Sequence, residues 1–95
     1  MATRTAWSDS AWQDVLTFRQ ADERTFKAIF DLIRDIKARP SKGHGSPQPL
    51  QHALQGWSSR RIAGAHRLVY RIVIVIVIHH GSDQQLEIVQ CRYHY

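Results

Sequence analysis

The chain has 95 residues, 43% of them hydrophobic, and a net charge of +5 at pH 7, which predicts one small domain spanning 1–95 with a modest core. A single cysteine, Cys91, excludes an internal disulfide framework and a cysteine-rich zinc site, so we expect a protein of the reducing cytoplasm with this thiol buried as a small hydrophobe. Residues 1–10 lack the apolar segment of a signal peptide, and the longest apolar run is too short to span a bilayer as a helix.

The first quarter of the chain predicts a short strand followed by a helix. Thr3 to Trp7 is expected to form the strand. Ser10 begins a capping-box pattern, S-x-x-Q, while Ser8 is an equally plausible cap for a helix that runs to about Gln20. The apolar side chains expected to face the core from this helix are Trp12, Val15 and Leu16.

A second helix is the most regular element in the sequence. Asp22 is expected to cap it, and Pro40 is expected to end it. Apolar side chains recur at helical spacing at Phe26, Ile29, Phe30, Ile33 and Ile36. Two pairs of opposite charge lie four residues apart in the favourable order, Glu23 with Lys27 and Asp35 with Arg39. The two helices are expected to form an antiparallel hairpin.

The middle of the chain predicts a long loop and then a strand. Residues 41–49 are rich in Gly, Ser and Pro, which is typical of a loop, and long loops in compact domains are often functional. Residues 50–56 are expected to form a short turn anchored to the core by Leu50 and Leu54. Trp57 to Ile62 is expected to be a strand.

The alternation from His66 to Ile78 predicts a long strand with two different faces. One face has Leu68, Tyr70, Ile72, Ile74, Ile76 and Ile78, and the other has Arg67, Val69, Arg71, Val73, Val75 and Val77. The larger apolar set is expected to pack on the helices, which leaves the arginines on the opposite face. After a turn at 79–83, residues 85–93 return antiparallel. The predicted fold is α+β, with a helical hairpin on one face of a mostly antiparallel sheet.

Basic residues are concentrated in the second half of the chain. No acid occurs from Ile36 to Ser82, whereas this stretch has seven arginines and lysines and five of the six histidines. Such a patch attracts phosphate-rich partners or an acidic protein, although a solvated basic surface without function gives the same pattern. The histidines at 44, 52 and 66 match no zinc spacing, so we expect no metal and no other cofactor.

Several motifs together resemble one family. They are P-Q-P-L at 47–50, W-S-S-R-R-I at 57–62, H-R-L-V-Y at 66–70 and the terminal C-R-Y-H-Y at 91–95. In combination they resemble the YoeB/Txe branch of the RelE superfamily of bacterial toxins, and the likeness extends over nearly the whole chain. The resemblance implies a RelE-like fold and the toxin of a type II toxin–antitoxin system in the bacterial cytoplasm.

The implied activity is metal-independent cleavage of mRNA on the ribosome. In this family a ribose 2′-hydroxyl attacks the adjacent phosphate, which needs a base, a cation for the transition state and an acid for the leaving oxygen. By position, Arg67 matches the transition-state arginine, His94 the general acid and Tyr95 the terminal aromatic that orients the substrate. The residues expected to bind RNA phosphates are Arg61, His52, Lys42 and Arg60.

One site residue departs from the family pattern. The family loop P-E-P-L has a glutamate that acts as, or supports, the general base, whereas this chain has Gln48, which cannot accept a proton. One hypothesis is that the chain binds substrate and antitoxin but cleaves poorly; another is that His52 replaces the carboxylate. Two further classes remain open, a catalytically inert module that binds antitoxin or RNA, and a DNA-binding subunit active only within an autorepressing complex.

The implied partners are a YefM/Phd-like antitoxin, the 70S ribosome with its mRNA, and operator DNA only through the toxin–antitoxin complex. The hairpin from Arg71 to Gln85 is longer than the family's compact version, and its apolar strand is expected to be covered in the cell. The candidates are a second copy of the chain in a homodimer, the antitoxin, and ribosomal RNA contacted through His79 and His80.

Overall fold

The computed structural model describes residues 3–77 and 81–92, and it has two helices packed on one face of a five-stranded sheet. The elements are β1 (Thr3–Trp7), α1 (Asp9–Ala21), α2 (Glu23–Ala38), β2 (Gln48–Pro49), a 3-10 turn (His52–Leu54), β3 (Ser58–Ala63), β4 (His66–Val77) and β5 (Gly81–Gln90). The strand order is β1-β5-β4-β3-β2. The β1–β5 pair is parallel and the other pairs are antiparallel. The predicted α+β architecture is confirmed.

The first helix begins two residues earlier than the capping-box pattern indicates. The hydroxyl of Ser8, rather than that of Ser10, accepts a hydrogen bond from the Ala11 backbone N–H at 3.1 Å, so Ser8 is the N-cap. The buried face is therefore rotated and contains Ala11, Val15 and Phe18, while Trp12 remains 42% exposed. The predicted packing of Val15 is confirmed, and the prediction that Trp12 packs into the core is wrong.

Most of the second helix follows its sequence pattern, but Phe30, which belongs to the predicted apolar face, is 36% exposed. Asp22 caps the helix by accepting from the Thr25 hydroxyl at 2.6 Å and from the Thr25 backbone N–H at 3.2 Å, and these hydrogen bonds lower the pKa of the Asp22 carboxyl. The helix ends at Ala38, two residues before Pro40, and both predicted ion pairs are present. Its buried residues are Thr25, Ile29, Leu32, Ile33 and Ile36.

The alternation in β4 separates two faces, as predicted, but the helices cover only half of the strand. Leu68 and Tyr70 lie in the core with Leu86 and Ile88 of β5. Further along the same face Ile74 is 69% exposed and Ile76 83% exposed, because the hairpin extends beyond the helical layer. The part of the hairpin beyond Ile72, formed by residues 73–77 and 81–85, is called the ribbon below. Ile78, His79 and His80 lie outside the described residues.

The single cysteine is a core residue, as predicted. Cys91 directly follows β5 and is 0% exposed. Burial and the neighbouring Asp14 carboxylate raise the pKa of its thiol to about 12. The thiol therefore stays protonated at neutral pH, and Cys91 fixes the chain in the core just before its last four residues.

Candidate functional site

The face of the sheet opposite the helices, called the open face, brings together the predicted arginines and the loop residue at position 48. Arg61 lies opposite Arg67 across the β3–β4 pair. In the next row of this face Gln48 lies opposite Ser59, and Ser59 lies opposite Val69. Residues directly opposite each other across a strand pair have side chains on the same face. Three of the predicted site residues, Arg61, Arg67 and Gln48, therefore lie in two neighbouring rows of side chains on the open face.

The guanidinium of Arg67 is held in place by neutral acceptors. Its Nε donates to the hydroxyl oxygen of Ser59 at 2.9 Å, and one terminal nitrogen donates to the carbonyl oxygens of Ser46 at 3.3 Å and Ser59 at 3.4 Å. The residue is only 8% exposed. Within residues 3–77 and 81–92 no carboxylate forms an ion pair with it. Among the described residues the positive charge of Arg67 is thus uncompensated, and its orientation is fixed by these hydrogen bonds.

The loop residue Gln48 lies on a strand that its sequence did not predict. Gln48 and Pro49 form β2, an edge strand of two residues, and both side chains are exposed. Gln48 pairs with Ser59 of β3, and the Ser59 hydroxyl accepts the hydrogen bond from Arg67 of β4, so Ser59 links the two positions across the sheet. A side chain at position 48 is therefore presented to solvent beside a fixed cation.

Arg61 is exposed beside Arg67, and its backbone fixes the preceding loop. The Arg61 N–H donates to the carbonyl oxygen of Gly45 at 2.6 Å. A Cβ atom on Gly45 would lie 2.7 Å from the Arg61 carbonyl oxygen, and Gly45 has φ +80°, so this close approach requires glycine. The exposed Arg61 side chain remains available for a phosphate.

The expectation that Arg60 binds RNA is corrected by its burial. Arg60 is 0% exposed, and its guanidinium donates to the Tyr70 hydroxyl oxygen at 3.0 Å and to Asp35 Oδ2 at 2.6 Å. It also donates to the carbonyl oxygens of Arg39 at 2.5 Å and His44 at 3.4 Å. The acid that neutralises it lies in α2, outside the acid-free stretch. Arg60 is therefore a structural ion that ties the loop to the helix.

Asp35 is the centre of this buried network. Its carboxylate accepts hydrogen bonds from Arg39, from the His44 backbone N–H at 2.9 Å and from Arg60, and it is 11% exposed. These donors lower the pKa of Asp35 from 3.8 to about 2. Because Ser46 of the same loop accepts a hydrogen bond from Arg67, the network also supports the site.

The Asp35→Asn variant is expected to unfold at a lower temperature than the parent, because it leaves the buried Arg60 charge uncompensated. The folded-state pKa of Asp35 lies below its ordinary value, so the contribution of its carboxylate is complete above pH 3.8 and is lost as the pH falls toward 2. The difference in melting temperature between parent and variant should shrink over that range.

Asp31→Asn is the matched control for this prediction, because Asp31 is on the same helix and forms only an exposed pair with Arg34. Differential scanning calorimetry at several pH values measures both variants. Equal melting temperatures for the two variants at pH 7 would contradict the role given to Asp35.

The other residues expected to bind RNA, Lys42 and His52, are exposed and lie on either side of β2 in the sequence. Lys42 lies in the loop before β2, and His52 begins the 3-10 turn after it with φ 58°. His66 packs edge-on against Phe18, with ring centroids 5.0 Å apart.

In the described part of the chain no three His, Cys, Asp or Glu side chains are grouped to hold a metal ion. No helix among the same residues is long and apolar enough to cross a membrane.

The two terminal site residues, His94 and Tyr95, lie outside the described residues. Gln90, the last residue of β5, is paired with Val69, and its side-chain amide donates to the carbonyl oxygen of Arg92 at 3.0 Å. β5 runs antiparallel to β4, so the chain leaves β5 at the end of the sheet where Arg67 lies. Arg92 is the last described residue before the predicted acid.

Comparison with known proteins decides the family. Residues 7–95 match the model for the YoeB-like toxin of bacterial type II toxin–antitoxin systems. The chain belongs to this family. The Escherichia coli K12 toxin YoeB is 43% identical over 89 residues, which cover 94% of this chain and 95% of that protein. This chain is thus a toxin of the YoeB type, as its terminal and H-R-L-V-Y motifs predicted.

Solved structures of YoeB proteins share the fold. A YoeB/ParE toxin from Agrobacterium tumefaciens superposes with a TM-score of 0.85 at 41% identity, covering 97% of this chain and 99% of that chain. Two Staphylococcus aureus structures at 31% identity cover both chains fully. They are a YoeB dimer with a TM-score of 0.81 and a heterotetrameric YoeB–YefM toxin–antitoxin complex with a TM-score of 0.79.

Sequence reasoning missed the residues that hold the YoeB-like site together. Ser59 and Ser46 supply the acceptors for Arg67, and no pattern distinguishes them from other loop and strand serines. Asp35 was predicted only as the partner of Arg39. The signal that could have identified Asp35 as the partner of Arg60 is the arginine pair at 60–61. Adjacent residues of a strand face opposite sides of the sheet, so one of these two arginines lies on the side covered by the helices and needs a buried acid.

Proposed function

We propose that this YoeB-like toxin is a metal-independent endoribonuclease that cuts mRNA on the ribosome by attack of a ribose 2′-hydroxyl on the adjacent phosphate. The observation that supports the proposal best is the fixed guanidinium of Arg67, which has no carboxylate partner among the described residues and lies opposite exposed Arg61 on the open face. A planar cation with neutral neighbours is suited to bind two oxygens of a phosphate and the extra charge of its pentacovalent transition state.

Each remaining step needs a residue near this cation. Position 48 lies on β2, with β3 between it and the strand that contains Arg67, and there a base would remove the 2′-hydroxyl proton. His94 is proposed to protonate the leaving 5′-oxygen, and Tyr95 to orient the substrate. Arg61, His52 and Lys42 are proposed to bind flanking phosphates, whereas Arg60 is not.

The proposal is tested by incubating the toxin with programmed ribosomes and mapping mRNA ends by primer extension. New ends that need both ribosome and toxin, and that disappear in the His94→Ala variant, are the expected result. Cleavage of equal strength by His94→Ala would contradict the acid role. Cleavage that is lost on chelation of divalent ions, with ribosome integrity maintained, would contradict the metal-independent mechanism.

A catalytically inert module that binds antitoxin or RNA is the second candidate, and the amide of Gln48 favours it. An amide at the position of the base leaves RNA binding by Arg67 and Arg61 intact while removing proton transfer. This candidate predicts antitoxin and RNA binding of normal strength, with no cleavage even after a carboxylate is introduced at position 48.

The proposed partners are a YefM/Phd-like antitoxin, the 70S ribosome with mRNA, and operator DNA through the toxin–antitoxin complex alone. The proposed location is the bacterial cytoplasm. Two solved structures of one relative support partner binding through protein surfaces, since the S. aureus YoeB occurs as a dimer and in complex with YefM.

The exposed ribbon is expected to support self-association. Replacing Ile74 and Ile76 together by threonine should shift the protein toward monomer in sedimentation velocity at micromolar concentration, because both side chains are largely exposed to solvent in the isolated chain. Val75→Thr, on the other face of the same strand, is the control. A monomeric parent would contradict self-association, and antitoxin titration of the same variants would then test that partner.

A further inference from the structure

A second cluster lies on the open face and takes no part in the steps proposed above. Trp57 immediately precedes β3, and its ring is covered by the guanidinium of Arg71 at 4.3 Å from the ring centroid. The Nε of Arg71 donates to Glu87 Oε1 at 2.6 Å, and the Gln85 amide donates to Glu87 Oε2 at 3.1 Å. Trp57, Arg71 and Glu87 are called the aromatic cluster below.

The aromatic cluster is on the same surface as the Arg67 site. Arg67, Val69 and Arg71 alternate with the core residues Leu68 and Tyr70, so the three share the open face. Arg71 is four positions after Arg67 in β4, which corresponds to about 13 Å along the strand. The row that contains Gln48 lies between them. A single RNA strand that crosses this face from Arg67 therefore meets the aromatic cluster within a few nucleotides.

The charges of the cluster are suited to a base rather than to a phosphate. Arg71 is already neutralised by Glu87, whereas Arg67 has no carboxylate partner among the described residues. A phosphate beside Glu87 would be repelled by the carboxylate. The planar group of Arg71 and the indole ring of Trp57 are instead surfaces on which bases stack, and stacking needs no net charge.

The cluster is accessible and has space beside it. The Arg71 side chain is 43% exposed and that of Glu87 27% exposed. A shallow pocket opens next to the stack, and Ala6, Val89 and the three cluster residues are among its lining residues. The hydrogen bonds from Arg71 and Gln85 fix the Glu87 carboxylate, so the stack is ordered before a ligand arrives.

We propose that Trp57, Arg71 and Glu87 form a nucleobase subsite, in which an unpaired base of the RNA that flanks the scissile phosphate extends the Arg71–Trp57 stack. The subsite rests on the proposed endoribonuclease function. It supplies affinity and position for the strand at a distance from Arg67. Trp57 therefore contributes to RNA binding through stacking and not through charge.

The test compares Trp57→Leu and Trp57→Phe with Trp12→Leu, a matched change of a partly exposed tryptophan on the helical side. Fluorescence anisotropy of a labelled single-stranded 12-nucleotide RNA measures binding at several salt concentrations. Trp57→Leu is expected to weaken binding about 5- to 100-fold, which corresponds to the loss of one stacked base. Trp57→Phe should retain most of the affinity, and Trp12→Leu should bind as the parent does.

The salt dependence separates a base contact from a phosphate contact. Loss of stacking should leave the slope of log affinity against log salt unchanged, whereas Arg61→Ala should reduce that slope by about one. Parental affinity in Trp57→Leu, with an unchanged melting temperature, would overturn the subsite. A reduced slope in Trp57→Leu, or a loss of antitoxin binding without loss of RNA binding, would overturn the assignment of a base.

Cleavage on ribosomes distinguishes failure of the subsite from failure of the enzyme. The same tryptophan variants are assayed with glutamate at position 48. If the Gln48→Glu protein cleaves mRNA and its Trp57→Leu derivative cleaves at the same rate, only the subsite is overturned. If the Gln48→Glu and parent proteins neither cleave mRNA nor bind RNA, the proposed function fails and the subsite fails with it.

Discussion

Gln48→Glu is expected to raise the rate of ribosome-dependent mRNA cleavage by about 10²–10⁴-fold, the usual contribution of a positioned general base. The substitution hardly changes the size of the side chain, and position 48 is already exposed and paired with Ser59, next to the Arg67 guanidinium. The new carboxylate would therefore accept the 2′-hydroxyl proton where the adjacent cation binds the phosphate. Single-turnover cleavage on programmed ribosomes measures the gain.

Gln51→Glu is the matched control, because it introduces the same charge at an exposed glutamine three residues further along. The cleavage rate of Gln51→Glu is expected to stay within about threefold of the parental rate, because a negative charge away from the reacting atoms weakens RNA binding only slightly. Absence of a gain in Gln48→Glu would rule out the lost-base explanation. A strong loss of parental activity in His52→Ala would then favour His52 as the replacement base.

Arg67→Lys in the Gln48→Glu protein is expected to lower the cleavage rate by about 10²–10³-fold, although the positive charge is retained. A lysine offers one point charge and cannot reproduce both the contacts to Ser59 and Ser46 and a bidentate phosphate contact. The loss should appear mainly in the rate at saturating ribosome concentration, because the transition state gains more from the guanidinium than the ground state does.

Arg34→Lys, an exposed change on α2, is the control for this substitution. Antitoxin binding and the melting temperature of Arg67→Lys show whether the fold has been maintained. Retention of the full rate by a folded Arg67→Lys protein would remove the transition-state role from this arginine.

The sequence predicted best those elements in which a strand or helix pattern continues over many residues. The alternation of β4 correctly separated its two faces, and the spacing in α2 predicted the burial of Ile29, Ile33 and Ile36, because both patterns repeat over more than ten residues. The spacing did not predict the exposure of Phe30. The extent of burial was not predictable in the same way. Ile74 and Ile76 continue the apolar pattern of Leu68 and Tyr70, but they are exposed because the helices do not extend over this part of β4.

The site was predicted in part, for a different physical reason. Arg67 and position 48 were found through motifs, and the sheet places them in adjacent rows. β2 was assigned to a loop because a strand of two residues has no periodicity. Arg60 was misjudged because its partner Asp35 is 25 residues away, and a long-range ion pair leaves no local signature in the chain. His94 and Tyr95 stay predictions.

The parallel pairing of β1 with β5 has a consequence for the time at which the toxin becomes complete. Thr3 pairs with Gln84 and Trp7 with Ile88, so the partner of β1 is the last strand to be synthesised. Contacts so far apart in sequence form late and slowly in folding. While β5 is still inside the exit tunnel, β1 has no partner and the sheet stays open at this edge. The five-stranded sheet can therefore be completed only after the residues of β5 have been synthesised.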